Sequence, residues 1–232
     1  MKRTITAAFL LGLLLASGQR ALAEELRLTY DVRITQSDEK SGGKKEEKEF
    51  RHKILVGLGN GYFYFTDPSG AKVYDLEKKR ILYVDDPGKT FSDVSLYSDI
   101  GFRFLEFRNR LFVRDVVLKS AEKAKGPRPP AENIFDLETL FGVESPGAKT
   151  SGITEAGSGG KIVYGSGQGV SVECRLSDQP MTEDRRTVWE KYLVYGCRIH
   201  PQIRKKLATL GRVPEFLRYT YRDGARTVTV EQ

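Results

Sequence analysis

Three short apolar runs between residues 61 and 91, separated by turn sequences, constrain the fold of this chain most strongly. Tyr62–Thr66 and Ile81–Val84 are rich in the aromatic and β-branched residues that favour strands, and Lys72–Leu76 lies between them. The Asp-Pro-Ser-Gly sequence at 67–70 is typical of a tight turn, because Pro fixes φ and Gly accepts the left-handed conformation. We therefore predict a three-stranded antiparallel meander here.

A second strand signal precedes this meander, where apolar and polar residues alternate without interruption from Leu26 to Thr35. Alternation of this kind predicts a strand with one buried and one solvated face. Phe50–Val56 returns as a partner, so residues 25–85 predict about five consecutive antiparallel strands. The residues expected to face inward are Leu26, Leu28, Tyr30, Val32 and Ile34; those expected to face solvent are Arg27, Thr29, Asp31 and Arg33.

The apolar spacing changes to three and four residues after Ser92, which predicts a helix capped by Ser92 or Asp93. The β-branched residues within Phe112–Leu118 leave open a further strand there. Residues 121–132 contain three prolines and no apolar periodicity, so they are the best boundary if the domain has two lobes.

The C-terminal half alternates short helices and strands. Asn133 and Gly142 are suited to cap a helix over Ile134–Phe141, and we expect a mobile loop over the Gly- and Ser-rich residues 144–160. Further elements are expected as paired strands (Lys161–Tyr164 and Val170–Leu176), two helices (Thr182–Tyr195, and a second from His200-Pro201 to Gly211) and a hairpin turning at Asp223-Gly224. We predict an α+β fold: a curved, mainly antiparallel sheet, or incomplete barrel, with helices packed on its concave face.

Residues 1–23 have the pattern of a secretory signal peptide: a basic start, an apolar run and the small-x-small sequence Ala21-Leu22-Ala23. A membrane anchor is the alternative, but the apolar run is short for a bilayer span. We predict a single domain over residues 24–232, periplasmic or secreted, without a transmembrane anchor after cleavage. Cleavage removes three basic residues and lowers the net charge from +7 to +4. The remaining charges are mixed along the chain, so we expect no nucleic-acid partner.

Two cysteines, Cys174 and Cys197, are predicted to form a structural disulfide in an oxidising compartment. Two buried free thiols, or a metal site that adds His200, are the alternatives. We find no catalytic constellation, no metal motif and no cofactor motif. Asp85-Asp86 belongs to a turn sequence before it can be considered a catalytic pair. The glycines at 165, 167 and 169 precede a strand where a phosphate loop needs a helix.

The chain is rich in aromatic residues, with 11 Tyr, 12 Phe and 1 Trp. They are expected either to fill a solid core or to line an apolar cavity between sheet and helices, where hydrophobic ligands commonly bind. Trp189 is assigned to the core. The candidate cavity residues are Leu28, Tyr30, Val32, Phe63, Phe65, Ile81, Tyr83 and Phe104.

The sequence of the meander resembles the periplasmic lipoprotein-carrier (LolA-like) superfamily. Val73-Tyr74-Asp75-Leu76 and Tyr83-Val84-Asp85-Asp86-Pro87 are similar to its strand and Asp-Pro-Gly-like turn pattern. The resemblance covers residues 25–120 as a pattern and about 20 residues as a motif; the helical segment 182–211 and the cysteine pair depart from it. It implies an incomplete β-barrel that is closed by helices and holds acyl chains.

Three functional hypotheses follow from the sequence. The first is an exported protein that binds a lipid or a lipoprotein acyl chain in an apolar cavity. The second is an envelope interaction or assembly protein with a solid core and unknown protein partners. The third is a hydrolase whose site the sequence does not reveal.

Overall fold

The computed structural model describes residues 25–39, 45–125, 132–145, 152–166 and 169–232. Within them the chain forms an α+β fold of eleven strands in one antiparallel sheet, together with four helices. This confirms the predicted class and the mainly antiparallel pairing. The predicted signal peptide, residues 1–23, lies outside the described residues.

The sheet is a run of adjacent hairpins in which the first and last strands of the chain pair with each other. Its order is β6-β5-β4-β3-β2-β1-β11-β10-β9-β8-β7, and β6 and β7 are its two edges, so the described sheet is not closed. The strands are β1 (Leu26–Glu39), β2 (Lys45–Leu58), β3 (Tyr62–Asp67), β4 (Gly70–Asp75), β5 (Arg80–Asp85), β6 (Thr90–Ser95), β7 (Thr154–Ser158), β8 (Lys161–Ser166), β9 (Gly169–Pro180), β10 (Arg212–Asp223) and β11 (Arg226–Glu231).

Along the chain, two helices separate β6 from β7 and two more separate β9 from β10. They are α1 (Leu96–Ala124), α2 (Ile134–Phe141), α3 (Glu183–Tyr195) and α4 (Pro201–Ala208). The Asn133 side chain accepts a hydrogen bond from the Phe135 N–H, and Gly142 ends α2 in the left-handed conformation, as predicted. Among the described residues, none of the helices has both the length and the apolar character required to cross a bilayer.

The alternation of β1 sets one face of the sheet against the protein interior. Leu26, Tyr30 and Val32 are buried, whereas Arg27, Thr29, Asp31 and Arg33 are exposed, as the sequence predicts. The register places Tyr30 opposite Ile54 and Leu26 opposite Leu58. We call the face that carries these buried side chains the inner face.

The main hydrophobic core joins the inner face to α3 and α4. Val188, Trp189, Tyr192 and Leu193 of α3 belong to the same cluster as residues from both groups of strands. A smaller cluster joins Phe107 of α1 to Leu137, Leu140 and Phe141 of α2. The helix α1 therefore contributes few side chains to either hydrophobic cluster.

The structure corrects the sequence-based expectations for three segments. Thr90–Ser95, all exposed, form a sixth strand, so the helix begins at Leu96, with Ser95 rather than Ser92 or Asp93 as its cap. The segment Phe112–Leu118 is helical, because α1 continues to Ala124 and covers the start of the proposed linker. A strand, Thr154–Ser158, lies within the stretch predicted to be a mobile loop.

The predicted disulfide is also wrong, because Cys174 and Cys197 are both buried free thiols. The Cys197 Sγ lies 3.8 Å from the Nε2 of Gln232, which donates to it. The phenol of Tyr30 lies close to both thiols and donates a hydrogen bond to the Pro214 carbonyl oxygen (3.3 Å). Both sulfurs therefore lie within the main core without bonding to each other. Burial raises the pKa of both thiols to about 12, which keeps them protonated and unreactive.

Candidate functional site

Two rows of side chains cross the inner face from β2 to β6, and they differ in how far the helices cover them. The first row is buried from Leu58 through Phe63 and Tyr74 to Ile81. The next row contains Val56, Phe65, Lys72, Tyr83 and Ser92. Its exposure increases toward the edge of the sheet, from fully buried Val56 to exposed Ser92.

The uncovered part of the second row forms an open groove of about 440 Å³. We call it the aromatic groove, and it runs over β3 to β6. A volume of this size lies within the range of about 300–1,000 Å³ that is usual for ligand sites. The residues that line it are Phe65, Asp67, Ser69, Gly70, Ala71, Lys72, Tyr83, Val84, Asp85, Thr90, Phe91 and Ser92.

Lys72 lies in the middle of the aromatic groove, on the same face as its buried neighbour Tyr74. Its Nζ is 4.9 Å from the ring centroids of Tyr74 and Tyr83, and 5.9 Å from that of Phe65. These are distances at which a cation is attracted to aromatic faces. Burial lowers the pKa of Lys72, with nearby Arg103 and Arg198 acting in the same direction and Asp99 opposing them. Among the described residues, no salt bridge holds the Lys72 ammonium.

The far end of the aromatic groove is fixed by the turn between β3 and β4. Asp67 accepts hydrogen bonds from the backbone N–H groups of Ser69 (2.7 Å) and Gly70 (3.2 Å) and from the Ser69 hydroxyl. Burial alone would raise the pKa of Asp67, but these hydrogen bonds lower it. Gly70 has φ of 153°, and a Cβ there would clash with the Val84 carbonyl oxygen. The groove therefore ends at a hydrogen-bonded turn that requires glycine.

The structure places the predicted cavity residues in three different surroundings. Tyr30, Val32, Phe63 and Ile81 are buried in the main core. Leu28 and Phe65 are partly buried against that core, and Phe65 and Tyr83 line the aromatic groove. Phe104 is exposed on α1 and is not among the groove residues.

Sequence reasoning did not single out Lys72. The available signal was its position two residues before Tyr74, on the apolar face of a strand in the meander. A lysine at such a position either extends its aliphatic stem so that the ammonium reaches water, or places the ammonium against aromatic rings. The second edge of the groove was also missed, since Ser92 and Phe91 lie on β6, which the sequence did not predict.

A buried histidine–carboxylate pair lies away from the groove and is fully used by the fold. The His200 Nε2 lies 3.0 Å from the Glu138 carboxylate, and its Nδ1 accepts from the Gln202 N–H at the start of α4. Glu138 also accepts from the Ser145 N–H (2.7 Å). Phe135 stacks on the imidazole with ring centroids 4.3 Å apart. The pair therefore joins α2 to α4 and leaves no open coordination or substrate position.

Within the described ranges, no three His, Cys, Asp or Glu side chains come together in a way that could hold a metal ion. Neither a scan of protein-family models nor a search of curated protein sequences finds a match to this chain. The resemblance to lipoprotein carriers therefore stays a prediction, and the function must be argued from the aromatic groove.

Proposed function

We propose that this protein is a carrier that binds an acyl chain of a lipid or a lipoprotein in the aromatic groove. The observation that carries the proposal is the uncovered row of the inner face, where Phe65 and Tyr83 offer apolar surface beside the half-buried Lys72. Aromatic rings and a lysine stem suit an acyl chain, and the ammonium suits an anionic group at one end of it.

The proposal includes a sheet that curves around its helices, as an incomplete barrel would. Tyr192 of α3 supports this, since its ring lies 5.8 Å from that of Phe63 on β3 and its hydroxyl lies 3.0 Å from Gln232 Oε1, which follows β11. Three strand spacings separate β3 from β11, about 14 Å in a flat sheet. One side chain reaches both more easily if the sheet bends toward α3.

The proposed location is the exported side of a bacterial-type envelope, because residues 1–23 have the pattern of a signal peptide. A carrier there would take up its acyl chain at one surface and release it at another. An open groove at a sheet edge, rather than a closed cavity, suits repeated loading and release.

A second candidate function is an envelope interaction protein with a solid core. The burial of Tyr30, Val32, Phe63 and Ile81 in one packed cluster favours it, since these side chains contribute to the core of the described fold. Under this alternative the aromatic groove would be a surface feature without a ligand.

Native mass spectrometry of the protein purified from its own envelope tests the proposal. We expect an adduct with the mass of a lipid or an acylated peptide. Lys72→Met should reduce its occupancy severalfold, because the apolar stem remains while the charge is lost. Lys78→Met, in the exposed turn after β4, is the matched control and should leave occupancy unchanged. A bare mass for the parent protein would favour the solid-core alternative.

A further inference from the structure

The helix α1 turns a row of arginines toward the protein and leaves most of its large apolar side chains exposed. Going along the face that contacts the protein, the residues are Arg103, Phe107, Arg110 and Arg114, at steps of four, three and four. Only Leu96 and Phe107 of this helix are buried. On the opposite side, five large apolar residues are exposed, and we call them the outward stripe. They are Phe102 (68% exposed), Leu105 (60%), Phe112 (70%), Val113 (58%) and Val116 (44%).

The three arginines are held by specific partners on the protein side. Arg103 donates to the carbonyl oxygens of Val194 and Tyr195 at the end of α3 (3.1 Å each) and pairs with Asp99. Its neighbour along the face, Arg110, binds the carboxylates of Glu106 (3.2 Å), Glu132 (2.9 Å) and Asp223 (3.0 Å).

Arg114 donates to the Glu132 carbonyl oxygen (3.0 Å) and to Asp115 (2.9 Å). These contacts fix the rotation of α1 about its axis. The outward stripe faces solvent because the arginines on the other side of the helix bind the protein.

The charges of α1 favour an anionic partner for this stripe. Residues 96–125 contain seven basic and four acidic residues, a net charge of +3. Three of the acids (Asp99, Glu106 and Asp115) are paired with the inward arginines. The basic residues outside those ion pairs are Arg108, Lys119, Lys123 and Lys125, all exposed, and Glu122 is the acid among them.

Exposed apolar side chains insert among acyl chains, and basic residues beside them are attracted to anionic headgroups; a helix that offers both can bind the surface of an anionic membrane. We propose that α1 docks this protein on an anionic lipid surface through the outward stripe, with Lys119 and Lys123 at the headgroups. This goes beyond the carrier proposal and does not depend on a ligand in the aromatic groove.

A second copy of the chain fits the stripe less well. At these exposures the five side chains present roughly 500 Å², taking about 200 Å² for a full phenylalanine side chain. A stable dimer buries about 800 Å² on each partner, of which a little over half is apolar, so the apolar area alone does not exclude a dimer. A symmetric second copy would, however, bring the exposed Lys119 and Lys123 of both helices together, and like charges oppose such a contact. A lipid surface needs no such shape-matched area, since acyl chains accept single inserted side chains.

Vesicle binding of the full chain, as the cell produces it, tests the docking proposal. The probe is phosphatidylglycerol and phosphatidylethanolamine vesicles, with phosphatidylcholine vesicles for comparison. We expect binding to the anionic vesicles that weakens as NaCl is raised. The variant F102S/L105S/F112S should bind at least about tenfold more weakly. Phe50→Ser removes a similarly exposed ring from β2 and should change binding less than twofold.

The depth of insertion is tested with Phe112→Trp and lipids brominated on the acyl chain. Insertion of the stripe should quench the new Trp, whereas Trp189 of the parent, 2% exposed in the core, should not be quenched. The proposal is overturned if the parent does not bind anionic vesicles, or if the triple variant binds as well as the parent. It is overturned equally if the parent sediments as a dimer that the triple variant converts to a monomer.

Discussion

The helices α1 and α3 use opposite means to attach to the same protein. In thirteen residues α3 buries Val188, Trp189, Tyr192 and Leu193 in the main core, whereas α1 buries only two side chains in twenty-nine residues. The face of α1 that contacts the protein carries arginines instead. One of them, Arg103, donates to the carbonyl oxygens of Val194 and Tyr195 at the end of α3. In α3 apolar residues therefore make the attachment, whereas in α1 arginines share it with the two buried side chains Leu96 and Phe107.

This difference separates residues that fold the protein from residues available for function. Large apolar side chains that are exposed contribute little to folding, because they stay in water in both states. The stability of the folded monomer therefore does not explain the outward stripe. The proposed contact with a lipid surface explains it. The aromatic groove is an intermediate case, since Phe65 packs on the core while Tyr83 and Lys72 remain partly open.

The largest difference between the two helices should appear when each loses one aromatic side chain. Trp189→Ala in α3 should lower the free energy of unfolding by about 3–5 kcal/mol, because it leaves a cavity in the core. Phe102→Ala in α1 should change it by less than about 0.5 kcal/mol, because the ring is exposed. Urea unfolding followed by circular dichroism measures both. Equal losses for the two variants would contradict the contrast.

The polar attachment of α1 is tested next by Arg103→Ala. The change removes two hydrogen bonds to carbonyl oxygens and the contact with Asp99, so we expect a loss of about 2–3 kcal/mol. Arg108→Ala, five residues along the same helix and exposed, is the control and should cost less than about 0.5 kcal/mol. If both arginines prove equally dispensable in urea unfolding, α1 is held by something other than these contacts.

Val32→Trp tests whether the centre of the inner face is packed. Val32 is 4% exposed within the main core, so a larger side chain should overpack it and cost about 1–3 kcal/mol. The thermal unfolding midpoint measures this loss. An unchanged midpoint would mean that the centre of the fold has room for an indole ring, and would contradict a tightly packed core at Val32.

The buried thiols predict a loss of stability at alkaline pH. An unfolded chain releases its thiol protons near pH 8.5, while Cys174 and Cys197 in the folded protein keep theirs until about pH 12. The unfolded state therefore gains relative stability as pH rises between these values, and the midpoint of urea unfolding should fall.

A thiol reagent at pH 8 gives the companion result. We expect no reaction with the folded protein and two thiols per chain after unfolding without reductant. If no thiol reacts after unfolding, the two cysteines form a disulfide and the account of two free thiols is wrong.

The sequence predicted those elements whose residues repeat at the spacing of their own structure. The alternation of Leu26 to Ile34 predicted β1 and its buried face, and Asn133 and Gly142 predicted both ends of α2. The strands β6 and β7 were missed because every described side chain in them is exposed. An edge strand of that kind shows no alternation of polar and apolar residues.

The aromatic groove was harder to predict, because its position depends on which parts of the inner face of the sheet are covered by the helices. Phe63 and Phe65 look equivalent in sequence, yet Phe63 is buried under α3 and Phe65 lines the aromatic groove. The apolar spacing in α1 correctly indicated a helix. The same spacing suggested that Phe104 faces inward, but its ring is exposed. The side of α1 that faces the protein is set by the contacts of its arginines.

The most direct measurement of the carrier proposal is lipid occupancy in two matched tryptophan variants. Ser92 lies beside Tyr83 at the exposed edge of the aromatic groove, and Ser158 is also exposed, on β7 at the opposite edge of the sheet. Ser92→Trp should fill the groove and remove the lipid adduct seen by native mass spectrometry, while Ser158→Trp should retain it. Both should stay within about 0.5 kcal/mol of the parent in stability. A lipid adduct that survives in Ser92→Trp would contradict binding in the groove.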